Sequence, residues 1–292
     1  MTMSPEQCIQ RYLRAGEHEG ALHAWAGENA FASAPLGHAA LLNALIAAVQ
    51  TRTVYASVPK VLVDLDVVAF TRAKVERMVR GLFPAHEQAA VLEVLGRAVV
   101  FLTPANIDTV LGSMCWLSTA WDLASLYLAS VNAPLLSDSA RRIVGLSEET
   151  TCYVSAHYFR EENRFDDFVV HEVAHIFHNG KRETIGLPEI RGREWLLEID
   201  YAKRETFAYA SEAYSRLLTL GSGCAERTTL LAALAKAPTF LDHRVDIGEY
   251  LDILGEAIAV RSGWKRVLQR CAPSGPGRAP FNRPTGKNVS DA

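Results

Sequence analysis

The segment 167–178, reading DFVVHEVAHIFH, constrains this chain more than any other. Phe168, Val169, Val170, Val173, Ala174, Ile176 and Phe177 make it apolar around most of its circumference, the pattern of a buried helix. Asp166 or Asp167 can cap its start, and Asn179-Gly180 supplies a stop. Yet the same helix carries His171, Glu172 and His175, and polar groups are costly to bury without partners. Residues four apart lie on one helical face, so the two imidazoles can reach one metal ion. Glu172 points to the side, where it can take a proton from a metal-bound water. Chance would produce only about 0.02 such spacings in a chain of this composition. Two histidines on a core helix with partners of their own are the plainer alternative.

A catalytic zinc site takes three protein ligands and leaves one position for water. A third histidine six residues after the second would complete one known spacing, but Lys181 stands there. His178 shares the helix face, about 10 Å along the axis from His171, which suits an outer partner or a surface residue. Glu183, Glu189, Glu194, Glu198, Asp200, Glu205 and Glu212 are the acidic residues downstream. Glu205 is the choice, because it opens RETFAYASEAYSRLL, where Glu205, Ala208, Tyr209 and Glu212 share one stripe. The small Ala208 lets that helix approach closely. Glu198 and Glu212 are next in line.

HEVAH followed by E-T-F-A-Y-A-S-E-A-Y resembles the gluzincin metallopeptidases, in the style of the lethal-factor catalytic domain and the related proline-specific secreted endopeptidases. The likeness spans about 60 residues, and HEVAH is its specific part. The interval from His175 to Glu205, 30 residues, is shorter than in lethal factor. The resemblance implies zinc held by His171, His175 and Glu205, with Glu172 as the catalytic base. Those relatives steady the oxyanion with a tyrosine upstream of the third ligand, which puts Tyr201 in that role at a different spacing. A strand before the helix lines the cleft in such enzymes and pairs with extended substrate. Cys152, 19 residues before His171, invites comparison with the peptide deformylases, but TTCYVS lacks their glycine-cysteine-leucine-serine context; a small buried hydrophobe is the better reading. Arg191, Arg193 and Glu194 beside Trp195 suit a substrate carboxylate or, more simply, a solvated loop.

Elsewhere helical spacing predominates: over most of 5–55, then 37–50, 71–82, a long helix from Asn106 or Asp108 past Trp116, Trp121 and Tyr127, and 193–201, 205–220, 225–236 and 246–269. Trp116 and Trp121 read as core. The run 61–70 suits strand or helix, 98–102 is a short buried strand, and β-branched and aromatic residues make 150–159 the clearest strand. The expected fold is α+β, predominantly α-helical: a helical N-terminal region over 1–97, a zincin-like region with a small sheet over 98–270, and a proline- and glycine-rich disordered tail over 271–292.

Thirty basic and 33 acidic side chains leave a net charge of −3, with no basic excess to suggest nucleic acid or an anionic membrane. MTMSPEQC has no signal-peptide pattern, 39–49 is too short to span a bilayer, and 111–131 is interrupted by Asp122. Five scattered cysteines suit a reducing compartment, so a cytoplasmic location is expected. The expected function is zinc-dependent cleavage of a peptide bond in a specific protein or peptide substrate. A zinc-stabilised binding or regulatory protein without turnover is the alternative.

Overall fold

Capping side chains in the sequence set several of the helix starts. The computed structural model describes residues 3–20, 22–27, 29–138, 140, 143–148, 150–160, 163–189, 193–236 and 242–273. Helix α1 (Pro5–Ala15) begins with a reciprocal Ser4–Gln7 capping box and stops at Gly16, whose φ of 69° suits a residue without Cβ. Then follow α2 (Ala30–Arg52), α3 (Lys60–Val63), α4 (Val67–Leu82, capped by Asp66) and α5 (Ala85–Gly96). Strand β1 (Val99–Phe101) leads into α6 (Ile107–Gly112) and α7 (Leu117–Ser130). Strands β2 (Gly145–Glu148) and β3 (Thr151–Val154) precede α8 (Phe168–Asn179). The remaining elements are α9 (Arg204–Leu220), α10 (Cys224–Leu234), α11 (Ile247–Ala259) and α12 (Gly263–Cys271). The chain is therefore predominantly helical α+β with one three-stranded mixed sheet.

The sheet order is β1-β3-β2, with β1 parallel to β3 and β2 antiparallel to it. Val99 pairs with Cys152, and Gly145 pairs with Val154. Alternation along the strands divides the interior in two. Val99, Phe101, Cys152 and Val154 enter a first core built with α4, α5, α8, α9, α11 and α12. Tyr153, with Val100 and Leu146 packed beside it, enters a second core built with α1, α2, α6 and α7. On length and composition alone α2 could cross a membrane, but its Leu41, Leu45 and Val49 are fully buried in the second core.

Several boundaries differ from those read in the sequence, each for a local reason. The run 61–70 is helical, supplying α3 and the start of α4. Helix α5 falls within the helical region expected over 1–97, although the sequence marks no separate helix there. The expected long helix after Asn106 breaks between Gly112 and Leu117, where the Cys115 carbonyl is bonded to His38. Trp116 caps α7 and is 67% exposed, so it is not core; Trp121 is buried and donates to the Leu13 carbonyl. Strand β3 ends at Val154 because the Ser155 hydroxyl accepts from the His157 N–H and turns the chain into a 3-10 helix at Ala156–Phe159. Segment 193–201 is not a helix. Trp195 bridges to Lys181, and the Leu196 and Leu197 amides donate to Gly180 and Phe177 at the end of α8. The expected helix 246–269 is two, broken before Gly263, which lies directly under the Tyr214 hydroxyl where no side chain fits. Most of the expected tail, 274–292, lies outside the described residues.

Candidate metal centre

Helix α8 is anchored at its start by Asp167, the N-cap residue, which accepts from the Val170 amide, from the Tyr158 hydroxyl at 3.0 Å and from the Lys74 ammonium at 2.9 Å. One face of α8 presents His171 and His175, and the stripe Glu205, Ala208, Tyr209 and Glu212 of α9 packs toward it. The two imidazole Nε2 atoms stand 3.3 Å apart, and the Glu205 Oε2 lies 3.9 Å from the first and 3.6 Å from the second. Nitrogen and oxygen ligands of a tetrahedral zinc stand about 3.3 Å from one another when each is 2.0–2.1 Å from the ion. The donor set and its spacing thus fit zinc. Three acceptor atoms this close repel one another unless a cation, proton or metal, sits among them.

The opposite ring nitrogens explain why the Nε2 lone pairs face inward. The His171 Nδ1–H donates to the Glu212 Oε2 at 3.1 Å, and the Glu212 Oε1 accepts from the Asp167 amide at 2.6 Å. The His175 Nδ1–H donates to the His178 Nε2 at 3.0 Å, and the His178 Nδ1–H donates to the Asn179 Oδ1 at 2.9 Å. Each candidate ligand therefore has its tautomer and ring plane set by a buried partner. Sequence reasoning held Glu212 as an alternative third ligand; it instead joins His171 to the backbone at the start of α8. His178, 5% exposed, is the outer partner of His175.

Glu172 is buried against β2. A Cβ on Gly145 would come within 2.6 Å of its Cγ and Oε1, so the strand can approach only as glycine there. Burial raises the Glu172 carboxyl to about 7, despite the nearby His171 and a bond from Ser147. Burial pulls His171 down, but the hydrogen bond and charge of Glu212, with Glu172 and Glu205, carry it up to about 9 in the metal-free chain. Burial, then the neighbouring His171 and His178, hold His175 well below the usual imidazole range. Burial and Arg204 lower His178 to about 4.

These groups line a cleft of about 580 Å³. Its strand wall is β2, not the longer strand the sequence suggested: Gly145, Leu146 and Ser147 line it, and β2 is one of the sheet's two outer strands. Arg244 closes one side, donating to the Glu205 Oε1 at 2.9 Å and to both oxygens of Asp242. That bond holds Asp242 down at about 2. Tyr201 lines the mouth, 72% exposed, with the Arg204 guanidinium 4.7 Å from its ring centre. The Tyr209 ring packs edge-on to His171 at 4.4 Å between centres.

Glu198 and Cys152 do not line the cleft, and Cys152 is fully buried on β3, its thiol pushed up chiefly by burial. Glu194 pairs with Lys181 at 2.7 Å away from the site, and Arg191 lies outside the described residues. Sequence reasoning missed Gly145, Ser147, Arg204, Asp242 and Arg244. Only Arg204, adjacent to Glu205, carried a signal by position. Compared with protein-family models, curated proteins and solved structures, the chain matches none.

Proposed function

We propose that this protein is a zinc-dependent peptidase with a zincin-like site, cleaving a peptide bond in a specific protein or peptide substrate. The observation that carries this reading is the convergence of the His171 Nε2, His175 Nε2 and Glu205 Oε2 beside a buried Glu172 in an open cleft. Zinc, held by those three residues, would supply Lewis-acid polarisation of the scissile carbonyl and acidify water. Glu172, raised toward neutrality by burial, is poised to accept a proton from water and deliver it to the leaving amine. Glu212 and His178 hold the imidazole rings in place, and Arg244 keeps Glu205 turned inward. Tyr201 at the mouth is the hydroxyl available to the developing oxyanion. The outer edge of β2 offers backbone groups to an extended peptide. All five cysteines are free, which suits a reducing compartment such as the cytoplasm.

Metal content and peptide cleavage test the reading together. About one zinc per chain is expected, lost in Glu205→Ala; Glu172→Gln should keep zinc and abolish turnover. Zinc binding without cleavage of any peptide by the wild type would favour a non-catalytic binding protein. Failure to bind zinc after reconstitution would remove the metal reading altogether.

A further inference from the structure

Among the described residues two guanidinium groups line the cleft, and they are used very differently. Arg244 gives its Nε and Nη2 to Asp242 and Glu205. Arg204 is half-buried, and its Nε is fully buried with no hydrogen-bond partner. Its guanidinium makes no ion pair or hydrogen bond among the described residues. Its guanidinium carbon lies 4.7 Å from the centre of the Tyr201 ring. Arg204 is also the first residue of α9, next to Glu205, so its backbone is fixed relative to the candidate ligands.

A guanidinium keeps its charge at every accessible pH and carries five donors in a planar fork. The Nε donor is enclosed, whereas neither Nη group is among the buried unpartnered atoms, so the outer end of the fork is what an anion entering the cleft would meet. From these contacts we infer that Arg204, braced on Tyr201, binds a carboxylate of the substrate and selects peptides that carry one near the scissile bond. The identification of the ligand as substrate rests on the peptidase reading; the anion site itself does not. Charge selects among anions. Among the described residues, Asp122, Glu172, Glu205, Glu212 and Asp242 also line the cleft, against Arg204, Arg244 and the imidazoles of His171, His175 and His178. A dianionic phosphate is repelled there about twice as strongly as a single carboxylate, which also matches the planar fork of Arg204. The carboxylate has two possible sources, an acidic side chain or a free C-terminus.

The test uses the full chain kept free of zinc with a chelator, so that no metal can bind the probe. N-acetylglutamate α-amide presents the side-chain carboxylate, N-acetylalanine the terminal one, and N-acetylglutamine α-amide is the neutral control; binding is followed by NMR titration. At least one carboxylate should saturate where the control does not, and whichever binds tighter identifies the source. Arg204→Gln should weaken that binding about tenfold, the size expected for a lost charged hydrogen bond. Arg204→Lys, which keeps the charge but not the fork, should recover part of it. Because Arg204 has no acceptor to lose, Arg204→Gln should lower the melting temperature by no more than its contact with Tyr201 supplies, about 2–4 °C, which separates a binding role from a structural one. Equal binding of the neutral control, or wild-type affinity in Arg204→Gln, would overturn the inference. Arg204-dependent binding in a chain that neither holds zinc nor cuts peptides would leave it standing and remove the peptidase reading. Cleavage of neutral and carboxylate-bearing peptides at equal kcat/KM would do the reverse.

Discussion

The two cores on either side of the sheet are made of different material. The second, formed by α1, α2, α6 and α7 with Tyr153, is hydrocarbon and aromatic surface, and none of its buried side chains is acidic, basic or an imidazole. The first surrounds Glu87, Asp167, His171, Glu172, His175, His178, Arg182 and Glu212, which are all of the buried acidic, basic and imidazole side chains among the described residues. Simple burial can stabilise the second core. Buried charge in the first is tolerable only because it is paired, as where Arg182 meets Glu87 at 2.5 Å with both side chains almost wholly enclosed. The contrast shows where this fold spends stability on something other than holding itself together.

Breaking that ion pair is the most severe test of the contrast. Arg182→Met should destabilise the chain by about 3–5 kcal/mol in urea unfolding, because it strands a buried carboxylate, and Glu87→Leu added to it should recover much of the loss. A loss below 1 kcal/mol would mean that water reaches the pair. In the other core, Leu45→Ala should cost about 3 kcal/mol through cavity formation and leave zinc affinity untouched. A change in zinc affinity there would show that the two halves are coupled. Glu212→Gln removes the partner that orients His171 and should weaken zinc binding about 10- to 100-fold in a chelator competition. Gly145→Ala should cost about 1–3 kcal/mol, since the new methyl meets Glu172. The smallest effect is expected at Trp116→Ala, within about 0.5 kcal/mol because the ring is exposed.

What the sequence discloses follows the range of the forces involved. HEVAH and the stripe on α9 are legible because helical period sets which side chains share a face, and that information lies within a few residues. The ends of α1, α4 and α8 are equally local, each written as a capping side chain. Strand β2 is not legible: GLSE has no strand pattern of its own, and its pairing with β3 makes it a strand. The break before α7 was hidden by an apolar run that suits a helix throughout, and it left Trp116 outside. Arg244 reaches Glu205 from 39 residues away, a relation no periodicity encodes. The division of labour between Glu205 and Glu212 also needed three dimensions, because both sit on one stripe and only their distance from each ring nitrogen separates ligand from support.

Strand β2 carries one consequence beyond the chemistry. A strand at the margin of a sheet presents unmet backbone groups and invites another copy of the chain to add on, the usual route to self-association. Here that margin faces the cleft, with Glu172 beneath it and the walls of α8 and α9 across from it. A single narrow peptide fits such a recess, whereas the broad face of a second folded molecule is held off. The margin that would recruit a substrate strand is thus also the margin least open to the flat edge of another copy.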